Sequence, residues 1–136
     1  MTALPDVGSG TLAVGWATVE LDRAALELAH LLAPDAAFRD APPSVLLGTR
    51  CRIAPAAAPA TVRIVLLEPD TEGRLAATLA RSGEGWVATW EVEPSVIGGA
   101  GISAARPGPL GLERLGLEGG PAGTHRLFVE AVPSRP

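Results

Sequence analysis

Four residue types are missing from this chain of 136 residues, which contains no Lys, Asn, Gln or Tyr. Without Lys the chain can form no Schiff base and no phosphate-binding loop of the Walker type, because both need that residue. Covalently held pyridoxal phosphate is therefore excluded. All 11 basic side chains are Arg. The abundance of Ala, Gly, Pro and Arg is typical of a GC-rich bacterial genome, which explains the missing types more simply than any function does.

Cysteine and histidine are scarce. The single cysteine, Cys51, excludes a disulfide within the chain and suits a reducing compartment, so we predict a cytoplasmic protein. His30 and His125 are the only histidines, and a site of three histidines within one chain is therefore impossible. We predict no bound metal and no cofactor.

Charge and hydropathy exclude further partners. The formal net charge is -4 and the pI is about 5.1, which argues against binding to nucleic acid or to an anionic membrane surface. No apolar run approaches the length needed to cross a bilayer, and residues 1–5 lack the layout of a signal peptide. With 47% hydrophobic residues, residues 1–136 are expected to form one globular domain.

Hydrophobic periodicity predicts an α+β fold. Gly83 is expected to end the second helix in a left-handed conformation. Residues 94–124 are rich in Gly and Pro and are expected to form a connection with one possible strand at 100–104. The predicted strands cover 11–18, 44–53, 61–67, 86–93 and 125–132, and the predicted helices cover 23–32 and 71–81.

Several short motifs occur in a characteristic order. A strand ends in Leu-Leu-Glu-Pro at 66–69, a helix follows, and a Gly-Glu-Gly turn occupies 83–85. Later the chain has a strand and Pro-Gly turn at 101–111 and the stretch Thr-His-Arg-Leu-Phe-Val-Glu at 124–130. These motifs resemble the vicinal-oxygen-chelate superfamily of glyoxalase-like and bleomycin-resistance-like proteins, with the epimerase-like branch as the nearest match in motif.

The resemblance implies paired βαβββ half-domains, roughly 10–82 and 83–133, that form a cupped sheet. It also implies a homodimer. The helix of the second half-domain should be shortened, because residues 94–99 leave room for about one helical turn.

The resemblance also indicates a degenerate metal site. Ala13 and Val65 stand at positions where the family has metal ligands, and the segment from Trp86 to Trp90 replaces a strand that normally opens with histidines. Only Glu130 remains at a ligand position. We take Glu130 as the candidate catalytic residue, a general base if burial raises its pKa.

Two arginines are candidates for ligand binding. Arg126, Phe128 and Glu130 share one strand face, and Arg63 shares a face with Val65, so both guanidinium groups would converge in the cup. Guanidinium favours bidentate contact with a carboxylate or another oxyanion. The alternative is an ion pair between Glu130 and one of these arginines.

The two tryptophans of the fourth predicted strand share a face by simple alternation. Trp86 and Trp90 would form either one wall of a ligand pocket or one side of the core. We predict metal-independent binding of a small anionic organic molecule, as in resistance proteins that sequester antibiotics. The alternatives are a lyase or isomerase of the glyoxalase or epimerase type that uses Glu130, and a non-catalytic dimeric interaction protein.

Overall fold

The structure is a computed structural model that describes residues 2–8, 10–70, 74–92, 103–116 and 124–129. Neither α-helix in these ranges is long and apolar enough to cross a membrane. The elements are β1 (Thr11–Ala17), α1 (Leu21–Glu27) with a 3-10 turn at Ala29–Leu31, β2 (Arg39–Ser44), β3 (Thr49–Pro55), β4 (Arg63–Pro69), α2 (Arg74–Ser82), β5 (Gly85–Val92), β6 (Arg106–Gly108), β7 (Gly111–Leu115) and β8 (His125–Val129).

These strands form one sheet in the order β2-β3-β4-β1-β5-β8-β7-β6. In each half of the sheet the first strand runs parallel to the fourth, so β1 pairs with β4 and β5 pairs with β8. The two halves meet where β1 and β5 pair antiparallel. The two outer strands approach each other, because the N–H of Val45 donates to the carbonyl oxygen of Pro107 at 3.1 Å. The sheet is therefore a nearly closed cup, which confirms the predicted α+β fold. The helix predicted to be shortened falls on residues outside the described ranges.

The predicted strand at 44–53 is correct at 49–53, which lie in β3, and wrong at 45–48, where the chain turns to form the β2–β3 hairpin. Gly48 has a φ of 69°, and its N–H donates to the carbonyl oxygen of Ser44 at 2.9 Å. Glycine adopts a positive φ without a steric penalty, so this residue permits the turn. Two prolines lie in β2, where an outer strand tolerates the loss of N–H donors.

The resemblance implied further strands in the second half-domain, but the positions of β6 and β7 were not predicted. They lie in the region that we assigned to a connection, and Gly111 permits their turn with a φ of 120°. The strand predicted at 100–104 is described only at its last two residues, which are not in a strand. By contrast, Gly83 ends α2 as predicted, with a φ of 75° and an N–H that donates to the carbonyl oxygen of Leu79 at 2.8 Å.

One face of the sheet is enclosed because the outer strands meet, and we call this face the cup interior. Helix α1 covers the outer face, where Leu21 and Leu28 pack against Leu66. Helix α2 instead packs Leu75 against the interior cluster. Burial of each such leucine contributes about 1.5–3 kcal/mol. The interior cluster draws on both halves of the sheet and includes Ala13, Ala17, Leu47, Cys51, Val65, Leu67, Ala88, Trp90, Leu115, Leu127 and Val129.

A β-bulge in β5 separates the two tryptophans that simple alternation would keep on one face. Trp90 pairs with Ala13, whereas Trp86 pairs with Trp16 after a shift in register at Val87. An extra residue on one strand reverses the alternation beyond it. Trp90 therefore lies in the cup interior, and Trp86 packs on the outer face against Trp16, with ring centroids 5.0 Å apart and an interplanar angle of 81°.

The glutamate of the Gly-Glu-Gly turn holds the connection between β1 and α1. Oε2 of Glu84 accepts hydrogen bonds from Oγ1 of Thr18 and the N–H of Val19, both at 3.1 Å, and it pairs with Arg23. This carboxylate therefore stabilises the start of α1.

The glutamate of the Leu-Leu-Glu-Pro motif acts on the same connection. Oε1 of Glu68 accepts a hydrogen bond from the N–H of Leu21 at 3.2 Å, and its other oxygen pairs with Arg50. The first N–H groups of a helix have no partner within the helix, so a carboxylate there is stabilising. The glutamates of both motifs thus position α1.

The close approach of two interior side chains to Gly15 leads to a test. A Cβ at this residue would lie 2.8 Å from Cδ1 of Leu67 and 2.8 Å from Cζ3 of Trp90. We expect Gly15→Ala to lower the free energy of unfolding by about 1–3 kcal/mol, because an overpacked core must shift. Gly85→Ala is the control, since no atom lies within 4 Å of its Cβ, and it should change stability by less than about 1 kcal/mol. Urea denaturation measures both, and equal stabilities would contradict this packing.

Candidate functional site

The cup interior contains a buried carboxyl group, that of Glu113 in β7, which is 0% exposed. Oγ of Ser44 donates to Oε2 at 2.7 Å, and Nε1 of Trp90 donates to Oε1 at 2.8 Å. Oγ of Ser44 in turn accepts a hydrogen bond from the N–H of Leu47 at 3.2 Å. Both carboxyl oxygens have a donor, as a buried polar group requires. The group ties together β2, β5 and β7.

Burial raises the pKa of Glu113 above its ordinary value of 4.5. Desolvation is the main cause, because it disfavours the charged carboxylate, and the hydrogen bonds from Ser44 and Trp90 act in the opposite direction. A carboxyl group with a raised pKa is a candidate for proton transfer near neutral pH.

Strand β6 is shaped around this carboxyl group. A Cβ at Gly108 would lie 1.9 Å from Oε1 of Glu113, so a side chain there would displace the carboxyl. Sequence reasoning missed Glu113 because it assigned no strand to this region. The residues gave no clear strand signal, because Leu112, Glu113, Arg114 and Leu115 do not alternate between apolar and polar types.

Cys51 lies in the same interior and is 4% exposed. Its Sγ is 3.5 Å from Oγ1 of Thr49. Burial raises the pKa of this thiol to about 11, with a smaller contribution from the nearby carboxyl of Glu113. A thiol with this pKa is protonated at neutral pH and is a poor nucleophile. Cys51 is therefore a small core residue.

The structure divides the predicted ligand-binding residues between two faces. Val65 and Trp90 lie in the cup interior, both 0% exposed. Arg63 is exposed at the start of β4, where it pairs with an interior position of β1. Arg126 and Phe128 alternate with the buried interior residues of β8 and so lie on the outer face. The two arginines therefore do not converge.

The remaining predicted site residues stand at positions where the resembling family has metal ligands. Glu130, the candidate catalytic residue, lies outside the described residues. Ala13 and Val65, at the two family ligand positions, are both 0% exposed within the apolar interior cluster. Within the described ranges no group of three or more His, Cys, Asp or Glu side chains could hold a metal ion.

Arg126 is held on the outer face by Glu91 of β5. Nε of Arg126 donates to Oε2 at 2.8 Å, and Nη2 donates to Oε1 at 3.0 Å, which is the bidentate geometry. This contact lowers the pKa of Glu91 below its ordinary value. The guanidinium carbon also lies 5.2 Å from the ring centroid of Phe128. The ion pair that the sequence left open was between Glu130 and either Arg126 or Arg63, and Glu130 lies outside the described residues.

A cavity of about 570 Å³ lies beside this ion pair, between the N-terminal arm (residues 2–8) and the outer face of β5 and β8. We call it the arm cavity. Trp86 gives it an aromatic wall, and Glu91 and Arg126 supply charged groups. Its lining consists of Pro5, Asp6, Val7, Gly8, Thr11, Trp86, Ala88, Thr89, Glu91, Thr124 and Arg126.

The arm that covers this cavity is anchored at two points. Nε1 of Trp86 donates to the carbonyl oxygen of Ala3 at 2.9 Å. Nε2 of His30 lies 2.6 Å from the carbonyl oxygen of Thr2, and Nδ1 lies 2.9 Å from that of Glu27. His30 therefore fastens the arm to α1.

Comparison with solved structures identifies the fold. The methylmalonyl-CoA epimerase of Mycobacterium tuberculosis matches with a TM-score of 0.65 and 20% identity, covering 97% of this chain and 94% of that one. A variant of the Streptomyces coelicolor epimerase, in complex with 2-nitronate-propionyl-CoA, matches with a TM-score of 0.66 and 16% identity, covering 89% and 96%. A hypothetical protein from Bacillus halodurans C-125 gives 0.63 and 17%, covering 93% and 96%.

No family model matches the chain, and no curated protein matches it. The similarity to solved structures, at 16–20% identity, therefore establishes the fold. The fold is that of the vicinal-oxygen-chelate domains, the superfamily to which methylmalonyl-CoA epimerase belongs, which confirms at the level of fold the resemblance read from the motifs.

The raised pKa of Glu113 predicts a pH dependence of stability. A group whose pKa is higher in the folded than in the unfolded state stabilises the fold below the unfolded pKa, and this stability is lost as pH rises through the folded pKa. Wild type should therefore lose stability relative to Glu113→Gln as pH rises above about 4.5. Urea denaturation from pH 4 to 8 measures the difference between the two proteins. A constant difference between wild type and Glu113→Gln would contradict the raised pKa.

Proposed function

We propose that this protein binds a small organic molecule in the arm cavity without a metal held by the chain. The observation that carries the proposal is the cavity, whose volume of about 570 Å³ combines the aromatic wall of Trp86 with the ion pair of Glu91 and Arg126. Pockets for small ligands typically measure about 300–1,000 Å³, and a few oriented polar groups interrupt a mostly apolar lining.

The cup interior, where the sequence predicted the ligand, supports binding less well. Trp90 packs there against Leu67 across Gly15, and Leu127 belongs to the same buried cluster. A ligand would have to displace these side chains, whereas the arm cavity needs no repacking. The Streptomyces coelicolor epimerase structure holds a CoA-derived ligand on a similar fold, which supports a small-molecule role in general terms.

The walls of the arm cavity are ordered before any ligand arrives. Glu91 holds Arg126 in bidentate contact, and the hydrogen bonds of Trp86 and His30 hold the arm. Association costs free energy for every side chain or loop that it must immobilise. Preformed walls reduce this cost and favour measurable affinity for a small ligand.

A fluorescent probe tests the site. N-phenyl-1-naphthylamine, an uncharged fluorophore, should bind saturably with increased emission, because the lining is mostly apolar. Thr89→Phe puts an aromatic ring into the cavity and should weaken binding about tenfold or more, since it removes space for the probe. Ala77→Phe is the control, because Ala77 is exposed on α2 and lines neither the arm cavity nor the cavity next to it.

Metal independence is tested in the same titration. Addition of a chelator should leave the affinity for the probe unchanged. Equal affinities of wild type and Thr89→Phe would reject the arm cavity as the site, and loss of binding with chelator, restored by a divalent metal, would reject a metal-independent site.

The buried carboxyl of Glu113 favours a second candidate function, an isomerase or lyase of the epimerase type. Glu113 has a raised pKa and fixed donors on both oxygens, which suits a group that exchanges a proton with a carbon acid. In this alternative Glu113 takes the role that sequence reasoning gave to Glu130. A substrate would have to enter the cup interior. The outer strands that enclose this interior are joined by the hydrogen bond from the N–H of Val45 to the carbonyl oxygen of Pro107.

Proton exchange tests this alternative directly. Wild type incubated with methylmalonyl-CoA in D2O should incorporate deuterium at the carbon between the two carbonyl groups, as followed by NMR. Glu113→Gln should reduce this rate by about 100-fold, the usual contribution of a general acid or base. Absence of exchange above the rate without enzyme would reject catalysis on this substrate.

The remaining functional hypotheses come from the sequence. We propose a homodimer in the cytoplasm, with a non-catalytic interaction protein as the third candidate function. Sedimentation equilibrium of the purified chain, at concentrations that span the micromolar range, measures the oligomeric state.

A further inference from the structure

The lining of the arm cavity carries an excess of negative charge. Among the described residues that line it, Asp6 and Glu91 are acidic, and Arg126 is basic. The bidentate contact between Glu91 and Arg126 neutralises that pair. Asp6 is exposed on the arm and takes part in no ion pair with another described residue. Among the described residues, one carboxylate without a paired cation is therefore left at the cavity.

The aromatic wall has the same electrostatic preference. The face of an indole ring carries partial negative charge, and it attracts cations more strongly than the face of any other side-chain ring. Trp86 is fixed in orientation by its hydrogen bond to Ala3 and by its edge contact with Trp16. Its ring is therefore a rigid wall rather than a mobile side chain.

An anion would meet an unfavourable arrangement in this cavity. It would lie near two carboxylates, and it would have to compete with Glu91 for the guanidinium group of Arg126. Breaking the bidentate contact leaves the carboxylate of Glu91 without its partner. The free energy lost at Glu91 is then larger than the free energy gained from the new contact between Arg126 and the anion. The arrangement of charges thus opposes the anionic ligand that the sequence predicted.

We propose that the arm cavity takes an organic cation, namely a substituted ammonium group carried on an apolar body. The ammonium group lies between the indole of Trp86 and the carboxylate of Asp6, and the apolar body lies against Pro5 and Val7 of the arm. The neutral ion pair of Glu91 and Arg126 forms the opposite wall. This inference rests on the proposed function, because it assigns a ligand class to the same cavity.

A pair of probes that differ only in charge tests the ligand class. Acetylcholine and 3,3-dimethylbutyl acetate have the same shape, but the quaternary nitrogen of the first is a carbon in the second. Each is titrated against N-phenyl-1-naphthylamine bound to wild type. We expect acetylcholine to displace the fluorophore at a concentration about tenfold lower, because only the cation gains from the indole face and the carboxylate.

A matched pair of variants tests the role of Asp6. Asp6→Asn should reduce the preference for the cation roughly threefold, whereas Asp35→Asn, in an exposed turn away from the cavity, should leave it unchanged. Added salt should lower the preference in wild type, because exposed charges are screened.

The outcomes separate the ligand class from the site. Two outcomes would overturn the cationic ligand class: equal displacement by both probes, or displacement by neither. If Thr89→Phe still weakens binding of the fluorophore, the arm cavity remains the site. Fluorophore binding that is insensitive to Thr89→Phe would overturn both proposals. A preference for the cation that Asp6→Asn does not alter would overturn the placement of the ammonium group.

Discussion

The carboxyl group of Glu113 joins three strands that are distant in the sequence, and the closure of the sheet depends on this contact. Ser44 ends β2, Trp90 lies in β5, and both donate to the carboxyl from β7. Burial of a carboxyl group without hydrogen-bond donors would cost on the order of several kcal/mol. Because two donors offset that cost only in one geometry, the network selects the arrangement in which β2 and β6 meet. Gly108 leaves the space that this arrangement needs.

The bulge at Val87 is the second constraint, because it gives the two faces of the sheet different roles. Without it, Trp86 and Trp90 would compete for space inside the cup. With it, Trp90 fills the interior against Gly15, and Trp86 becomes available to the outer face and the arm. The same strand therefore supplies the core of the fold and one wall of the arm cavity.

The motifs that identify the fold have an architectural role in the described structure. Glu68 and Glu84 accept backbone N–H groups at the connection between β1 and α1. This explains how the fold of the epimerases is kept at 16–20% identity while the interior positions of Ala13 and Val65 carry no ligating side chain.

The sequence by itself determined the α+β class, the central strands, α1, α2 and the end of α2 at Gly83, because these depend on local periodicity and backbone conformation. It did not locate β6 and β7, where Gly and Pro are frequent and apolar and polar residues do not alternate. Tertiary structure alone decided on which face of the sheet Trp86, Arg126 and Phe128 lie. The bulge in β5 sets the face of Trp86, and the direction in which the sheet curls sets which face is enclosed, and neither is a local property of the sequence. It also brought Glu113 to Ser44 and Trp90, because the residues of a buried polar network are far apart in sequence and meet only when the sheet curls.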